Sequence, residues 1–410
     1  MKEGKRYGLI GEKLGHSFSP AIHAKLADYE YRLIELKPEE LENFLLHGEF
    51  DGLNVTIPYK KAVIPHCKEL TPQARAIGSV NTIIRQPDGS LLGHNTDYDG
   101  FCYQLCQAGA EVAGKKALVL GTGGASLTVH AVLKDLGARE TVSISRTGPN
   151  NYQNLDRHRD AQIIVNATPV GMYPNTGVSP IDLDLFPDCE GVYDLIYNPA
   201  KTQLLLEAEK RDIKHANGLG MLVAQAKAAA ERFLGESIPD HRVDEIVREM
   251  EGSTRNLLLV GMPGCGKPPV GRALAQRLGR RLVDTDEIIV ALAGCTIPEI
   301  FANRGEESFR QLEHQALCQV AKESGLVIAT GGGIVTRPFN HDPIRQNSSV
   351  IFLRRELDQL PTDGRPLSQA NKLTDMYRQR LPLYQGIADI TVDNITVEGA
   401  VNEIIGRLSL

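Results

Sequence analysis

The segment that most constrains the fold of this chain is residues 256–271, which read NLLLVGMPGCGKPPVG. Residues 257–260 form an apolar run of strand length, and Gly264, Gly266 and Lys267 follow it in a glycine-rich turn. Loops of this kind lead into a helix, point backbone N–H groups at phosphates and add a lysine for the terminal phosphates. The segment therefore predicts a nucleotide-binding domain past the middle of the chain, with these three residues at the nucleotide and Lys267 as a catalytic charge.

One position departs from the pattern of such loops. The pattern G-x-x-x-x-G-K-[ST] has a hydroxyl after the lysine, and this chain has Pro268 followed by Pro269. Proline is tolerated in the first turn of a helix, so the loop is expected to fold and to cradle phosphates. Mg²⁺ needs near-octahedral oxygen coordination and would have water in place of the side-chain oxygen. The sequence thus predicts a loosened metal at an otherwise complete loop.

Length and composition exclude several classes of protein. With 410 residues, the chain has room for two or three domains of about 150 residues each. Its 42% hydrophobic and 23% charged residues are typical of a globular protein, and a net charge of −6 gives no reason to expect nucleic acid or an anionic membrane as a partner. No apolar run reaches transmembrane length, and the seven dispersed cysteines lack a C-x-x-C pair. These features predict a cytoplasmic protein with reduced thiols.

In the first half, residues 52–61 read GLNVTIPYKK. Leu53, Val55 and Ile57 alternate with polar residues, which predicts a strand with one buried face and one polar face. Lys60 is then carried on the turn at the C-terminal end of this strand. Open α/β sheets bind their ligands at that end, so Lys60 is a candidate functional residue.

Two further segments, GSVNT at residues 78–82 and GHNTD at residues 93–97, also join a strand to a polar end. Strand ends of one open sheet meet at one edge, so Lys60 and Asp97 can form a charge pair in a cleft. A solvated salt bridge of little energetic consequence fits the same residues. The residues alone leave both interpretations open.

Near the N-terminus, Ser17 and Ser19 alternate around Phe18, so that both hydroxyls can face one side. Pro20 follows, and a helix is predicted from about Ala21. Because serine caps helices and proline favours the first turn, the residues alone favour a helix-capping segment over a binding site.

A second strand–glycine–helix unit, KALVLGTGGAS at residues 116–126, has a dinucleotide-binding pattern. Its glycines permit a tight turn and let a pyrophosphate approach the helix N-terminus. The next predicted strand, residues 141–144, ends in Ser145, Arg146 and Thr147. An acidic residue there would hold the ribose 2′-hydroxyl of NAD, whereas Arg146 suits the 2′-phosphate of NADP.

Over about residues 5–250, the sequence resembles shikimate dehydrogenase. The motifs that carry this resemblance occur in that family's order: HSFSP, NVTIPYK, GSVNT, NTDYDG, GTGGAS, SRT, NATPVGM and NGLGML. The resemblance implies an α/β substrate domain over residues 1–100 that is completed by residues 220–250. It also implies a Rossmann NADP-binding domain over residues 101–219.

The same resemblance implies roles for individual residues. Lys60 and Asp97 would be the catalytic pair, with Lys60 handling the proton on the 3-oxygen of the substrate. The residues implied to bind the substrate are Ser17, Ser19, Thr56, Asn81, Tyr197 and Gln225. The residues implied to bind NADP(H) are Gly121, Gly123, Gly124, Ala125, Ser126, Ser145, Arg146, Thr147, Gly218 and Met221.

In the second half, two carboxylates, Asp284 and Asp286, follow a predicted strand and point the same way. One could serve Mg²⁺ and the other a substrate diol, and a helix-capping pair is equally compatible. Residues 331–333 are three consecutive glycines, which permit close backbone approach to a ligand. Three separated arginines suit a nucleotide-plus-carboxylate site, because arginine can hold a carboxylate through two parallel bonds. They are Arg310, Arg365 and Arg380.

This half, after a short polar linker at residues 251–255, resembles shikimate kinase. The resemblance implies a P-loop α/β domain with a parallel sheet over residues 256–410. Asp284 would bind Mg²⁺ through water, and Asp286 would bind the shikimate hydroxyls. The other implied contacts are Arg310 and Arg380 at the shikimate carboxylate, Gly332 lining the pocket, and Arg365 on the phosphates.

Together the two resemblances imply a bifunctional enzyme with NADP(H), ATP and Mg²⁺ as cofactors. It would reduce 3-dehydroshikimate to shikimate and phosphorylate shikimate to shikimate 3-phosphate, the latter slowly and with a high Mg²⁺ requirement because of Pro268. Two alternatives stay open: a non-catalytic shikimate-binding kinase-like module, and a metabolite-sensing regulator. The retained Lys60 and Asp97 and the acidic net charge argue against the regulator. The preference between quinate and shikimate and the oligomeric state are left open.

Overall fold

Three β-sheets organise the part of the chain that the structure, a computed structural model, describes: residues 5–15, 17–360 and 370–410. By its backbone contacts the chain divides into two compact units. The first unit comprises the residues up to Val170 together with Ser179–Tyr197 and Glu207–Arg248, and the second comprises Gly171–Val178, Asn198–Leu206 and Glu249–Leu410. No helix in the described ranges has both the length and the apolar character to cross a membrane.

The first sheet has six strands in the order β2-β1-β3-β5-β6-β4. Its strands are β1 (Arg6–Gly11), β2 (Glu30–Glu35), β3 (Gly52–Val55), β4 (Glu69–Leu70), β5 (Thr82–Arg85) and β6 (Leu91–His94). The first three are mutually parallel, whereas β5 runs antiparallel to both β3 and β6. Consequently β3 and β6 end at the edge where β5 begins. The helices among these strands are α1 (Ser19–Leu26), α2 (Leu41–His47) and α3 (Pro72–Ile77).

The predicted alternation in β3 is wrong in detail. Ile57, expected on the buried face, lies beyond the strand and is 77% exposed, while Asn54, expected on the polar face, is buried. The reason is that Gly52, which lies on the same face of β3 as Asn54, packs against Phe233 of the helix at residues 219–234, so this face is covered as well. The buried Asn54 amide is satisfied because Tyr31 donates its hydroxyl to Asn54 Oδ1 at 2.8 Å.

The second sheet has five parallel strands in the order β11-β10-β9-β7-β8. Its strands are β7 (Lys116–Leu120), β8 (Glu140–Ile144), β9 (Ile163–Asn166), β10 (Gly191–Asp194) and β11 (Lys214–Ala216). The chain moves to opposite sides of β7 when it forms β8 and β9, which opens a crevice at the carboxyl end of β7. Buried apolar runs such as KALVL suit a parallel sheet covered on both faces. The helices here are α4 (Asp97–Gln107), α5 (Gly124–Asp135) and α6 (Gln203–Lys210).

Two helices follow the second sheet, α7 (Leu219–Leu234) and α8 (His241–Thr254). The end of α7 packs on the first sheet, because the Tyr7 ring stacks on Phe233 at 4.5 Å and the Tyr7 hydroxyl donates to the Phe233 carbonyl at 2.8 Å. Gly52 permits this contact, since a Cβ there would lie 2.6 Å from the Phe233 ring. The chain therefore returns to its first sheet, as the sequence resemblance implies.

The predicted polar break at residues 251–255 is wrong, because α8 continues through Thr254. The hydroxyls of Ser253 and Thr254 donate to the Met250 carbonyl at 3.0 and 2.7 Å. These back-bonds let polar residues remain in the last turn of a helix. A single residue, Arg255, separates α8 from the next strand.

The third sheet has five parallel strands in the order β13-β14-β12-β15-β16. Its strands are β12 (Asn256–Val260), β13 (Leu282–Asp284), β14 (Val327–Ala329), β15 (Ser348–Arg354) and β16 (Ile390–Asp393). The helices around it are α9 (Lys267–Leu278), α10 (Thr285–Ala293), α11 (Ile297–Ala321), α12 (His341–Arg345), α13 (Ala370–Ile387) and α14 (Val397–Leu408). Residues 380–384 lie inside α13, which contains Pro382.

Candidate active sites

The first site forms where β3 and β6 end and β5 begins. Lys60 stands just beyond β3, and Asp97 opens α4 directly after β6. Lys60 Nζ lies 2.5 Å from Asp97 Oδ2, and the two side chains are only 19% and 9% exposed. The pair is therefore largely withdrawn from water, and the solvated salt bridge left open by the sequence does not describe it.

Asn81, the residue before β5, orients this pair. Its Nδ2 donates to Asp97 Oδ1 at 2.9 Å, and its Oδ1 accepts the Thr96 N–H at 2.6 Å. One carboxylate oxygen of Asp97 thus faces Lys60 and the other faces Asn81. Among the predicted substrate residues, Asn81 is the one that the described contacts join to the pair.

The glycine loop after β7 passes directly beside Lys60. A Cβ at Gly124, the first residue of α5, would lie 3.8 Å from Lys60 Cδ. Gly121 has φ +107°, and a Cβ there would meet the Ala167 carbonyl at 3.0 Å, so only glycine suits this turn. Ser126 Oγ donates to the Gly123 carbonyl at 2.8 Å and tightens the loop, while Ala125 continues the first turn. The start of α5, where the first N–H groups of a helix have no partner inside the helix, therefore lies beside Lys60.

Arg146 stands at the same sheet edge as this loop. The Gly121 N–H donates to the Ile144 carbonyl at 2.8 Å, which ties the loop to the end of β8. Arg146 follows β8 and is exposed, and Ser145 donates its hydroxyl to the Thr147 carbonyl. These residues fit NADP(H) in their chemistry, because the loop carries no side chain at Gly123 or Gly124 and the exposed Arg146 guanidinium has the charge that suits a 2′-phosphate.

Helix α7 brings Gln225 and Met221 to the same region. Its N-cap is Gly218, where a Cβ would lie 2.1 Å from the Leu195 carbonyl. Farther along, a Cβ at Gly100 would lie 2.6 Å from the Met221 carbonyl and 3.0 Å from Gln225 Cβ. Gly100 lies one turn after Asp97 in α4, so the close approach of α7 and α4 holds Gln225 near the pair.

The two serines near the N-terminus are tied to each other. Ser17 Oγ accepts the Ser19 N–H at 3.2 Å and lies 3.1 Å from Ser19 Oγ. The N-cap of α1 is Phe18, which has no side-chain capping bond, and Ser17 instead accepts the N–H of the first helical residue, Ser19. The helix-capping interpretation therefore agrees with these contacts. The Phe18 ring lies 5.6 Å from that of Tyr197, and Thr56 packs against Gly11.

The second site begins with the loop between β12 and α9. Gly261, Gly264 and Gly266 have φ of +149°, +85° and +98°, which favour glycine. Lys267 is only 5% exposed, and its Nζ donates to the carbonyls of Gly261 and Met262 at 2.8 and 3.0 Å. The predicted loop is therefore formed, with its lysine folded across it.

The structure distinguishes the two carboxylates Asp284 and Asp286: the first caps a helix, and the second has a buried oxygen without a partner in the described part of the chain. Asp284 ends β13 and caps α10, since its Oδ1 accepts the Asp286 N–H at 2.9 Å. Asp286 Oδ1 is buried and meets no donor among the described residues. Burial and the neighbouring Asp284 charge raise the pKa of Asp286. A buried carboxylate oxygen without a partner indicates a place for a ligand donor.

Arg310 reaches the glycine triplet from α11. A Cβ at Gly333 would lie 2.2 Å from Arg310 Nη1, so any side chain at this position would displace the guanidinium. Arg310 also donates to Glu313 Oε2 at 2.8 Å and to Glu306 Oε1 at 3.1 Å. Glu313 is fully buried, and burial raises its pKa. Glu313 thus holds the guanidinium beside the glycines.

Arg380 reaches the same glycines from α13. Its Nη1 donates to the Gly332 carbonyl at 3.0 Å, and the Tyr384 hydroxyl donates to the same carbonyl. Gly331 lies next to Asp286, where a Cβ would be 3.2 Å from Oδ1. The structure therefore brings the predicted shikimate residues of this unit together around residues 331–333. Arg365, expected on the phosphates, lies outside the described residues.

Known proteins match both parts of the chain. The sequence model of the shikimate dehydrogenase substrate binding domain matches residues 9–83, and that of shikimate kinase matches residues 263–409. A shikimate dehydrogenase (NADP(+)) of Clostridium perfringens is 35% identical over 269 residues, which are 60% of this chain and 98% of that protein. A Methanopyrus kandleri protein of the same name is 38% identical over 275 residues, with 59% and 94% covered.

The chain belongs to the shikimate dehydrogenase family. Solved structures of that family agree with the fold. A chorismate mutase/shikimate 5-dehydrogenase fusion protein from Clostridium acetobutylicum has a TM-score of 0.57 at 37% identity, with 61% of this chain and 98% of that chain covered. Shikimate 5-dehydrogenase from Thermus thermophilus, solved with NADP(H) and shikimate, has a TM-score of 0.55 at 33% identity, with 60% and 99% covered. The second part is a shikimate kinase domain, so both predicted resemblances and the α/β fold class are confirmed.

Several residues of this shikimate dehydrogenase and its kinase domain were not predicted as site residues. In the first site they are Asn54, Thr96 and Tyr31, which connect or position the polar strand ends. In the kinase domain they are Glu313, Asn394 and Tyr384, which hold Arg310, the Cys265 carbonyl and the Gly332 carbonyl. Asn54 lies in the motif NVTIPYK and Thr96 in NTDYDG, so the sequence contains a signal for these two residues. No sequence signal marks the others.

Proposed function

We propose that this chain is a bifunctional enzyme that reduces 3-dehydroshikimate to shikimate with NADPH and phosphorylates shikimate to shikimate 3-phosphate with ATP. The observation that carries the first activity is the Lys60–Asp97 contact of 2.5 Å beside the N-terminus of α5. The second activity is supported by the kinase domain, in which Asp286, Arg310 and Arg380 meet at one glycine triplet. Shikimate is the product of the first reaction and the substrate of the second, so each activity supports the other.

In the first reaction, bound NADPH supplies a hydride for the carbonyl carbon of 3-dehydroshikimate. The Lys60 ammonium donates a proton to the carbonyl oxygen, which becomes the 3-hydroxyl, and the resulting amine regains a proton from water. Asp97 holds the ammonium at that oxygen, and Asn81 fixes the carboxylate. Ser17, Ser19, Thr56, Tyr197 and Gln225 bind the remaining groups of the substrate in this proposal.

In the second reaction, Asp286 accepts the proton of the 3-hydroxyl of shikimate as that oxygen bonds to the γ-phosphorus of ATP and ADP leaves. Arg310 and Arg380 hold the substrate carboxylate, and Lys267 neutralises charge on the phosphates. Asp284 would hold Mg²⁺ through water, and the ion would supply positive charge that stabilises the phosphoryl group during transfer. We include a cytoplasmic location in the proposal, supported by seven free cysteines.

The direct test uses one purified full-length chain in two separate assays. Shikimate with NADP⁺ should yield NADPH, and shikimate with ATP and Mg²⁺ should yield shikimate 3-phosphate and ADP. Supplied with 3-dehydroshikimate, NADPH and ATP, the same chain should form shikimate 3-phosphate. Failure to form NADPH would remove the first activity, and failure to form ADP above a no-shikimate control would remove the second.

The exposed Arg146 should set the choice between the two nicotinamide cofactors. We expect Arg146→Ala to raise the KM for NADP⁺ about tenfold, because one charge-assisted contact to the 2′-phosphate is lost. The KM for NAD⁺ should hardly change. Arg159→Ala, which removes another exposed arginine of the same sheet domain, serves as the control. Equal use of both cofactors by the wild type would contradict this assignment.

A further inference from the structure

Pro268 and Pro269 alter the nucleotide site by more than one missing hydroxyl. Helix α9 begins at Lys267 with Gly266 as its N-cap, so both prolines occupy the first turn, where they are exposed. The first N–H groups of a helix have no partner inside the helix, and in phosphate-binding loops they donate to phosphate oxygens. Proline carries no N–H. Two donors of this turn are therefore missing.

The neighbouring backbone groups do not replace them. The Val270 N–H donates to the Gly266 carbonyl at 3.1 Å, and the Cys265 N–H donates to the Met262 carbonyl at 3.2 Å. Of the residues in the first turn, only Lys267 has an N–H group that makes no hydrogen bond within the helix. The prediction that the loop keeps its shape agrees with the structure, but the predicted phosphate cradle has fewer donors than that shape suggests.

Oxygen ligands for a divalent cation are equally few. No group of three or more His, Cys, Asp or Glu within the described ranges is arranged to hold a metal. One oxygen of Asp284 already accepts the Asp286 N–H. The buried hydroxyl of Thr330 donates to the Leu259 carbonyl at 2.8 Å and so is committed to the sheet. A loop hydroxyl at position 268 would have been the fixed side-chain ligand next to the phosphates.

The residues proposed to bind shikimate in the same domain are all present. Arg310, Arg380 and the unpartnered Asp286 oxygen all meet the glycine triplet. The buried Glu313 keeps Arg310 in place at 2.8 Å. The departure from the phosphate-binding pattern is thus confined to the first turn of α9.

We infer that Pro268 and Pro269 give this kinase domain a phosphate site that binds ATP weakly and with little help from Mg²⁺, so that nucleotide binding limits the second reaction. The inference rests on the proposed kinase function. Mg²⁺ still neutralises charge during phosphoryl transfer, but the loop offers it no side-chain anchor. The affinity for ATP should therefore depend little on Mg²⁺, whereas kcat should depend on it.

Four variants of the full-length chain separate the two effects. Pro268→Ala and Pro269→Ala each restore one N–H without adding a hydroxyl. Pro268→Ser restores one N–H and the hydroxyl after the lysine, and Pro268→Ser with Pro269→Thr restores that hydroxyl and both N–H groups. Pro298→Ala is the matched control, because Pro298 is an exposed proline at the second position of another helix, α11.

Calorimetric titration with ATP, without shikimate, is done in EDTA and in excess Mg²⁺. In EDTA, each alanine variant should bind ATP about tenfold more tightly than the wild type, which is 1.4 kcal/mol for one restored bond to a charged phosphate. Mg²⁺ should change the wild-type affinity by less than about threefold, and it should tighten binding to Pro268→Ser by a further factor of about ten. Pro298→Ala should behave as the wild type.

Wild-type affinities equal to those of the Pro268→Ser, Pro269→Thr chain in both buffers would overturn the inference. So would a wild-type response to Mg²⁺ as large as that of Pro268→Ser. If the affinities change as expected but neither chain forms ADP with shikimate, the inferred weak ATP binding stands, whereas the proposed kinase function and the limit on its rate fail. Circular dichroism of each variant shows that the comparison is between folded chains.

Discussion

Replacing Lys60 with alanine should lower kcat for oxidation of shikimate by NADP⁺ by about 10²–10⁴-fold, the range that a general acid–base group contributes. Lys60 Nζ is held 2.5 Å from Asp97, beside the loop expected to bind the cofactor, and no other ammonium among the described residues contacts this carboxylate. Substrate affinity should change much less, because Asn81 and Gln225 remain. Initial rates of NADPH formation at saturating shikimate provide the measurement.

Lys61→Ala is the matched control, since the next residue is an exposed lysine on the same turn. Its kcat should stay near the wild-type value. The second reaction provides a further control in the same molecule, because ADP formation by Lys60→Ala should equal that of the wild type. A Lys60→Ala chain with near wild-type kcat would remove Lys60 from its proposed role.

For the first site, the sequence predicted which polar residues stand at the ends of strands. Lys60, Asn81 and Asp97 each follow or precede a short apolar run, and polar residues at such positions converge when the strands share a sheet. The burial of Asn54 was not predictable, because alternation in one strand does not reveal whether the second face is covered. That depends on α7, whose Phe233 packs over Gly52 on the same face of β3 as Asn54.

The second site shows a different limit of sequence reasoning. The glycine loop and the glycine triplet can be recognised in the sequence because glycine is favoured there for local reasons. Several of the loop glycines have positive φ, and a Cβ on any residue of the triplet would collide with a neighbour. Glu313 and Asn394 have no such local signature. Asn394 donates to the Cys265 carbonyl from 129 positions away, so its role exists only once β16 has paired in the sheet. Residues that support a site across such separations are visible only in the folded chain.

Asp286→Asn should lower the rate of shikimate phosphorylation by about 10²–10⁴-fold, because an amide cannot take the hydroxyl proton that a carboxylate accepts. The substitution keeps the size of the side chain, so the packing of Gly331 beside it should persist. The variant is best built in the Pro268→Ser, Pro269→Thr chain, where faster turnover widens the measurable range. ADP release with saturating ATP and Mg²⁺ gives the rate.

Glu287→Gln is the control for charge, since Glu287 is the adjacent exposed carboxylate on α10. It should leave phosphorylation unchanged, and both variants should oxidise shikimate with NADP⁺ at the wild-type rate. Loss of both reactions in Asp286→Asn would indicate a folding defect, which the melting temperature would reveal. Retention of full phosphorylation by a folded Asp286→Asn chain would show that the buried, unpartnered oxygen of Asp286 does not receive the proton of the shikimate hydroxyl.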